Sequence, residues 1–153
     1  RPVPVACASP VTPDSCMDNL LGGCTTAADC TEKPNGSCQQ DMVFGGFTGV
    51  HQRVRIGAHA LIGGGSVVLQ DVPPFVPVQG YPAKPHGTNN EGLRRRGFSA
   101  DDILAVRRAY KTLYREGLAL EDAKTALAAA AAATPVLRPL IDFLAASTRG
   151  IVR

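Results

Sequence analysis

The side chains that could do chemistry lie in two separate parts of the chain. Residues 1–42 hold every cysteine, and residues 43–153 hold every histidine together with an arginine triplet at residues 94–96. Cysteines can form disulfides or bind zinc. Histidine can take up a proton near neutral pH, and arginine presents a rigid fork of donors that fits a phosphate. The two parts therefore suggest different chemistries, although an arginine triplet is more often simply a solvated surface.

The first part is a Cys-rich segment over residues 1–42, interrupted by Pro, Gly, Asn and Ser. We expect it to be irregular, because so short a stretch cannot build a core of its own. One interpretation is a disulfide module of a secreted protein, although an odd number of cysteines leaves one thiol over. A zinc site is disfavoured because no Cys-x-x-Cys pair or histidine occurs here, and a segment without any site is the third interpretation. The cysteines are Cys7, Cys16, Cys24, Cys30 and Cys38. Since the chain begins at Arg1 and not at Met, we expect its true start to lie upstream.

A strict six-residue period begins immediately after this segment. Neither a helix nor an alternating strand has this period, whereas a parallel β-helix does, because each hexad supplies one short strand and one corner. We expect the aliphatic residue of each hexad to point into a narrow core and the glycine after it to form the corner. The repeated apolar positions are Phe44, Val50, Ile56, Ile62 and Val68. Residues 43–78 are therefore predicted to form the terminal coils of a β-helix, with its first coil covered by something else.

Residues 79–153 are predicted to form a C-terminal helical domain of three helices, after an irregular Pro- and Gly-rich linker. Ser99 and Asp102 form a candidate capping box, and Gly117 is the expected end of that first helix. The second helix is predicted from about Glu121 through the alanine tract to residues 134–135, and the third from near Pro139. The apolar stripe of the first helix is Ile103, Val106, Tyr110, Leu113 and Tyr114.

Charge divides the chain at the same place. Residues 1–42 carry five acidic and two basic groups, whereas residues 43–153 carry eight acidic and fourteen basic groups. A hydrophobic content of 44% excludes a wholly disordered chain, and the alanine tract is too short to span a membrane. Nucleic-acid binding is disfavoured, since aromatic residues make up 5% of the chain and do not alternate with the basic ones. We therefore expect a basic protein with no membrane span.

Several motifs of residues 43–153 resemble one known family in order and spacing. They are the His51-Gln52 pair, the stretch from Gln70 to Pro74, the run from Glu91 to Phe98 and the stretch from Ser147 to Gly150. On these residues the chain resembles the UDP-N-acetylglucosamine O-acyltransferases of lipid A biosynthesis, and the match covers about residues 43–153. The resemblance implies the end of a left-handed parallel β-helix of hexapeptide repeats, and a homotrimer with active sites between its subunits.

The resemblance also implies an activity in the cytoplasm. A 3-hydroxyacyl group would pass from the phosphopantetheine of acyl carrier protein to the 3-hydroxyl of UDP-N-acetylglucosamine, with no further cofactor. A histidine would act as general base, which suits the removal of a proton from an attacking hydroxyl. By the spacing of the family this histidine falls about two coils before His51, within residues 1–42, where there is none. We therefore assign no catalytic residue and no metal ligand, and we expect the isolated chain to show no acyl transfer.

Site residues follow from the same resemblance. It implies that His51 and Gln52 lie near the sugar nucleotide and that the side chain at Gly64 sets the acyl length, with glycine leaving room for a longer chain. His59 and His86 are expected to be structural or exposed. The residues implied to contact the nucleotide or the pantetheine phosphate are Asn89, Glu91, Arg95 and Arg96, and the basic residues expected to steer acidic acyl carrier protein are Arg107, Arg108, Lys111 and Arg115.

Two other interpretations of the whole chain remain open. One is a non-catalytic protein in which a disulfide-rich module is fused to a β-helix used for trimerisation or binding. The other is a frame error or chimeric assembly near residues 40–43. The latter would explain why clustered cysteines, which suit an oxidising compartment, precede a segment that resembles a cytoplasmic enzyme.

Overall fold

A computed structural model describes residues 42–153 of the chain. The predictions of disulfides, zinc or an irregular conformation for residues 1–41 lie outside the described residues. The strands are β1 Val43–Phe44, β2 Gly49–Val50, β3 Leu61–Ile62, β4 Val67–Val68, β5 Pro77–Gly80 and β6 Ala83–Pro85.

The strands β1 to β5 stack as the coils of a parallel β-helix. β1 pairs in parallel with β3, and β3 with β5, whereas β2 pairs in parallel with β4. A parallel bridge between Ile56 and Val72 forms the third side. The register joins Val43 to Leu61, eighteen residues later, so three hexads make one coil. The predicted six-residue period is confirmed.

Most of the repeated apolar residues form the narrow core of these coils. Ile56, Ile62 and Val68 are buried, and so are the small residues between them, Ala60 and Ser66. Phe44 departs from the prediction because 36% of it is exposed. It lies on β1, the first strand of the described part of the chain, where no earlier described coil covers it.

The hexad glycines begin corners as predicted: Ala60 N donates to Gly57 O at 3.2 Å and closes the turn that Gly57 opens. The left-handed residue of these corners is the third one: Phe47, Arg53, His59 and Gly65 lie six residues apart with φ values between 58° and 70°, and Phe75 in the last coil has a φ of 70°. Gly57 instead allows close stacking, because a Cβ there would collide with the backbone and ring of Pro74. Gly57 is therefore needed because its corner approaches the next coil closely, whereas the left-handed conformation falls two residues later, on His59.

The expected irregular linker contains regular structure. β5 continues to Gly80, past the expected boundary after residue 78, and β6 returns antiparallel to it. A short helix, α1 (Asn90–Arg95), then follows. The helical part therefore has four α-helices where three were predicted, and the additional one is too short to show a helical period in sequence.

The three predicted helices are present with shifted ends. They are α2 (Ala100–Tyr114), α3 (Leu120–Ala131) and α4 (Arg138–Ala146), which follows a 3₁₀ turn at Pro135–Leu137. The capping box is confirmed: Ser99 Oγ accepts from Asp102 N at 3.0 Å, and Asp102 Oδ2 accepts from Ser99 N at 3.2 Å. α3 ends before the predicted Thr134.

The helices bury a core of their own, which the coils and the C-terminal segment enter at defined points. Leu113, Leu127 and Phe143 are buried in it, and Phe75 from the last coil packs among them. The C-terminal segment, residues 147–153, then returns to the coils, where Ile151 forms a parallel bridge with Asp71. No helix in the described part of the chain is long and apolar enough to cross a membrane.

Candidate functional site

His51 and Gln52 lie at an exposed corner between β2 and the third side of the coil. Val54 N donates to His51 O at 3.2 Å, and Arg53 has a φ of 62°, so residues 51–54 form a turn with the left-handed third residue of type II. His51 Nδ1 lies 3.0 Å from Gln52 O. Because a carbonyl oxygen can only accept, this hydrogen bond forms in the tautomer whose Nδ1 carries the proton, and that tautomer has Nε2 as an acceptor.

Asn89 is held at both ends of its side chain. Its Oδ1 accepts from Gly92 N at 3.2 Å and caps α1, while its Nδ2 donates to His59 O at 3.1 Å. This amide therefore fixes the start of α1 against a corner of the coils. The two hydrogen bonds show that Asn89 positions α1. A nucleotide contact by Asn89 stays a prediction.

α1 presents Glu91 and its arginines to solvent. Glu91 Oε1 accepts from Arg95 Nε at 3.0 Å, and Glu91 Oε2 accepts from Arg94 Nη1 at 2.6 Å. Arg96 Nη1 donates to Gly92 O at 3.1 Å. A guanidinium has five N–H donors, so Arg95 keeps donors for a phosphate beyond its bond to Glu91. Glu91 therefore orients the side chains of Arg94 and Arg95.

Gly64 lies at an exposed corner of the second coil. A Cβ there would lie 3.3 Å from Gly46 O and would meet nothing else at close range. A small side chain therefore fits with a slight shift, and a larger one would extend outward from the corner. A role in acyl length stays a prediction.

The other two histidines occupy different surroundings. His59 is half-buried, its ring stacked 5.7 Å from that of Phe75 and edge-on 5.1 Å from that of Phe98. These contacts fit the expected structural role. His86 is exposed at the side of an open cleft of about 610 Å³.

This basic cleft gathers the residues that the sequence marked only by charge. Tyr110 at its base accepts a hydrogen bond from Gly87 N at 3.0 Å. Its basic side chains are His86, Arg107, Arg108, Lys111 and Arg115. The four predicted steering residues therefore share one surface with His86, on and just after α2.

Two residues at the coil–helix junction were missed as parts of a site. Asp71 is 1% exposed, with Oδ1 accepting from Arg55 N at 2.9 Å and Oδ2 from Ser147 Oγ at 2.7 Å. Arg149 Nη1 donates to Gln52 O at 2.9 Å. Asp71 and Arg149 both lie in stretches marked by the family resemblance, but no local pattern showed which residues they would contact. Residues 42–153 contain no cluster of three or more His, Cys, Asp or Glu that could hold a metal ion.

Comparison with known proteins identifies the family of this chain. A family model described as UDP-N-acetylglucosamine O-acyltransferase, domain 2, matches residues 71–152, more than half of the chain. The chain belongs to this UDP-N-acetylglucosamine O-acyltransferase family. The predicted resemblance is therefore confirmed, and the model covers α1 with Asn89, Glu91, Arg95 and Arg96.

Individual acyltransferases agree with the family model. The acyl-[acyl-carrier-protein]–UDP-N-acetylglucosamine O-acyltransferase of Thiobacillus denitrificans is 56% identical over 111 residues, which is 72% of this chain and 43% of the relative. That of Paraburkholderia phymatum is 59% identical over 114 residues, again 43% of the relative. The chain thus spans less than half the length of these relatives.

Solved structures of acyltransferases share the fold. The enzyme of Moraxella catarrhalis superposes with a TM-score of 0.71 at 41% identity, covering 73% of this chain and 44% of that one. The enzyme of Francisella novicida gives 0.73 at 37% identity, covering 75% and 42%. The predicted end of a left-handed parallel β-helix, followed by helices, is confirmed.

Proposed function

We propose that residues 43–153 are the C-terminal portion of an acyltransferase that moves a 3-hydroxyacyl group from acyl carrier protein to the 3-hydroxyl of UDP-N-acetylglucosamine, the first step of lipid A biosynthesis. The observation that carries the proposal is the 56% identity over 111 residues to a relative named for this reaction. In the reaction the sugar oxygen bonds to the thioester carbonyl carbon, the carbon–sulfur bond breaks, and the hydroxyl proton leaves through a general base. We assign that base to no residue of this chain.

The chain's part in this reaction is to bind and orient. His51 Nε2 is left as an acceptor by the Nδ1 hydrogen bond, which suits a substrate hydroxyl. Arg95 and Arg96 supply forked donors for the diphosphate or for the pantetheine phosphate. Gly64 is proposed to leave room for a longer acyl chain, because its Cβ position is open beyond Gly46 O.

The basic cleft is proposed to receive acyl carrier protein. Its arginines and Lys111 form one positive surface, and an acidic partner would be steered toward it at low ionic strength. Reaction of a thioester with a hydroxyl needs no cofactor beyond the phosphopantetheine of the donor. We further propose a homotrimer in the cytoplasm, as the family resemblance implies.

UDP-N-acetylglucosamine titrated into the ¹⁵N-labelled full chain tests the binding part of this proposal. We expect saturable shifts of the His51 ring and of the Arg95 and Arg96 guanidinium signals. Arg95→Ala and Arg96→Ala should each raise the dissociation constant by about ten- to a hundredfold, since a charge-assisted hydrogen bond contributes about 1.5–3 kcal/mol. Arg138→Ala is the matched control, because Arg138 pairs with Asp142 on α4 and should not matter. Shifts that are absent, or that the Arg138 control also removes, would favour a non-catalytic protein.

A further inference from the structure

The corners of the first coil show how their carbonyls are normally held. At the corner of residues 45–48, Gly46 O accepts from Gly65 N of the next coil at 2.9 Å. At the corner of residues 57–60, Ala58 O accepts from Phe75 N at 2.9 Å. In both cases the peptide before the left-handed residue is fixed by a backbone N–H of the coil stacked on it.

The corner of His51 and Gln52 has a different neighbour. Val50 pairs with Val68, and Ile56 pairs with Val72, so the stacked coil is two residues shorter on this side. The N–H of Asp71 instead donates to Gly150 O at 3.3 Å. At this corner the backbone N–H of the stacked coil therefore bonds to the C-terminal segment and not to Gln52 O.

Two side chains bind Gln52 O in place of a backbone N–H of the stacked coil. Gln52 O lies 3.0 Å from His51 Nδ1 and 2.9 Å from Arg149 Nη1. A carbonyl oxygen has two lone pairs, so both donors can be accommodated. The segment that carries Arg149 is bound to Asp71 on both sides of it. Ser147 Oγ donates to the buried Asp71 carboxylate, and Val152 N donates to Asp71 O at 2.9 Å.

The orientation of this peptide is under strain without such donors. Arg53 has a φ of 62°, and a residue with a Cβ disfavours this region, which glycine tolerates. Rotation of the peptide between Gln52 and Arg53 would return Arg53 to negative φ, as in a type I turn. The same rotation would turn Gln52 O away from His51 Nδ1.

We propose that Arg149 is a positioning residue for His51. Its guanidinium takes the place of the missing backbone donor, holds Gln52 O inward, and so keeps the His51 ring in the Nδ1–H tautomer with Nε2 as an acceptor. The use of that acceptor by a substrate hydroxyl rests on the proposed function, whereas the tautomer depends on the corner alone. The C-terminal segment thereby sets the chemistry of a side chain 98 positions earlier in the chain.

The test is ¹⁵N NMR of the three histidines of the full chain in the absence of any ligand, at about pH 9, where an ordinary histidine is neutral. His51→Gln assigns the His51 signals by their loss. In the unsubstituted chain we expect the Nδ1–H tautomer of His51 to be the major form. Arg149→Met, which removes the donors but keeps an extended side chain, should make it the minor form. Arg138→Met, at another exposed arginine, on α4, should change nothing.

A second substitution separates positioning from general loosening of the structure. Arg53→Gly removes the penalty for positive φ, so Arg149→Met combined with Arg53→Gly should recover the Nδ1–H tautomer. Arg149→Lys should recover it in part, since lysine keeps a donor but not the fork. A purely structural effect of Arg149 would not be corrected by a glycine at position 53.

The outcomes distinguish this inference from the proposed function. An unchanged His51 tautomer in folded Arg149→Met overturns the positioning role, whatever the chain binds. A changed tautomer that Arg53→Gly does not correct also overturns it. If the tautomer responds as expected but UDP-N-acetylglucosamine gives no shifts at any concentration, the positioning role stands and the proposed function fails.

Discussion

The coils and the helices of this molecule are stabilised in opposite ways. In the coils, every strand pairing of the parallel stack joins residues sixteen to eighteen positions apart, as Val43 to Leu61 and Leu61 to Pro77. In the helices, hydrogen bonds are local, and the buried residues from Leu93 to Leu144 pack mainly on one another. The coils therefore depend on the coil above and below, whereas the helices pack mainly on one another, joined by Phe75 of the last coil and Ile151 of the C-terminal segment.

This difference bears on where the candidate site residues lie. The helical core can carry the exposed arginines of α1 and α2 without relying on them for stability. The coils have open corners instead, and the one at His51 is completed by the C-terminal segment, whose Ile151 lies in the helical core and whose Val152 lies in the coil core. That segment links the two modes of stabilisation, so substitutions should act differently on each side of it.

Phe143→Ala should have the largest effect, because it opens a cavity in the helical core. Phe143 is 1% exposed and also lies under the Arg55 guanidinium, whose Cζ is 4.8 Å from the ring centre. We expect the free energy of unfolding to fall by about 3–5 kcal/mol. Phe44→Ala, the same change at the open end of the coils, should cost less than half as much. Urea denaturation of both variants measures the difference, and equal losses would remove the distinction between the two cores.

Gly57→Ala should be next, because it breaks stacking between coils. Its Cβ would collide with Pro74, and backbone cannot move aside as a flexible side chain can. We expect a loss of about 3 kcal/mol, the upper end for overpacking. Gly46→Ala is the matched control, since a Cβ there meets nothing within 4 Å, and it should leave the thermal midpoint unchanged. A tolerated Gly57→Ala would argue against close approach as the reason for this glycine.

Asp71→Ala should loosen the link between the regions. It leaves the Arg55 N–H and the Ser147 hydroxyl without the acceptor they use, at a cost of about 2 kcal/mol for unsatisfied buried groups. Relative to the unsubstituted chain, Asp71→Ala should speed amide hydrogen exchange more in residues 147–153 than in α2. Asp142→Ala, which removes an exposed pair with Arg138, should change neither. Uniformly faster exchange throughout would contradict a local link.

Tyr114→Phe should have the smallest effect and a distinct pH dependence. Burial raises the pKa of the Tyr114 phenol well above its usual value, with a further rise from Tyr110 and an opposing effect from Arg153. The folded state thus keeps a proton that the unfolded state loses above about pH 10. The stability contributed by the neutral phenol is fully present below that pH and is progressively lost as the pH rises from there toward the raised pKa of the folded state.

The phenol oxygen of Tyr114 has no hydrogen-bond partner among the described residues, so Tyr114→Phe should change stability by less than about 1 kcal/mol at neutral pH. It should flatten the fall in unfolding free energy above pH 10. Tyr81→Phe, at a side chain that is 80% exposed, should keep that fall. A parental slope in Tyr114→Phe would show that this phenol is not the group responsible.

Sequence predicted those parts of the fold that repeat or that signal locally. The six-residue period identified the coils, and Ser99 with Asp102 identified the start of α2, because each depends on neighbours in sequence. Sequence placed Gly57 at a corner but did not show why it must be glycine, because the atoms that a Cβ would meet belong to Pro74, in the next coil. α1 was missed because its cap, Asn89, is anchored at His59 O, thirty residues away.

The candidate site was predicted unevenly for the same reason. Family resemblance supplied His51, Gln52 and the residues of α1, while their hydrogen bonds required the structure. Asp71 meets Ser147 across 76 positions and Arg149 meets Gln52 across 97. No local pattern encodes such contacts, although the stretch from Ser147 to Gly150 was already notable as a motif.

The most direct test of the central claim is a chimera. The relative of Thiobacillus denitrificans would carry residues 43–153 of this chain in place of its own C-terminal part, and transfer of a 3-hydroxyacyl group from acyl carrier protein to UDP-N-acetylglucosamine would be measured. We predict that the chimera transfers the acyl group, that His51→Ala in the chimera slows transfer without abolishing it, and that the unfused chain shows none. A chimera that folds and assembles like the relative but transfers no acyl group would contradict the account.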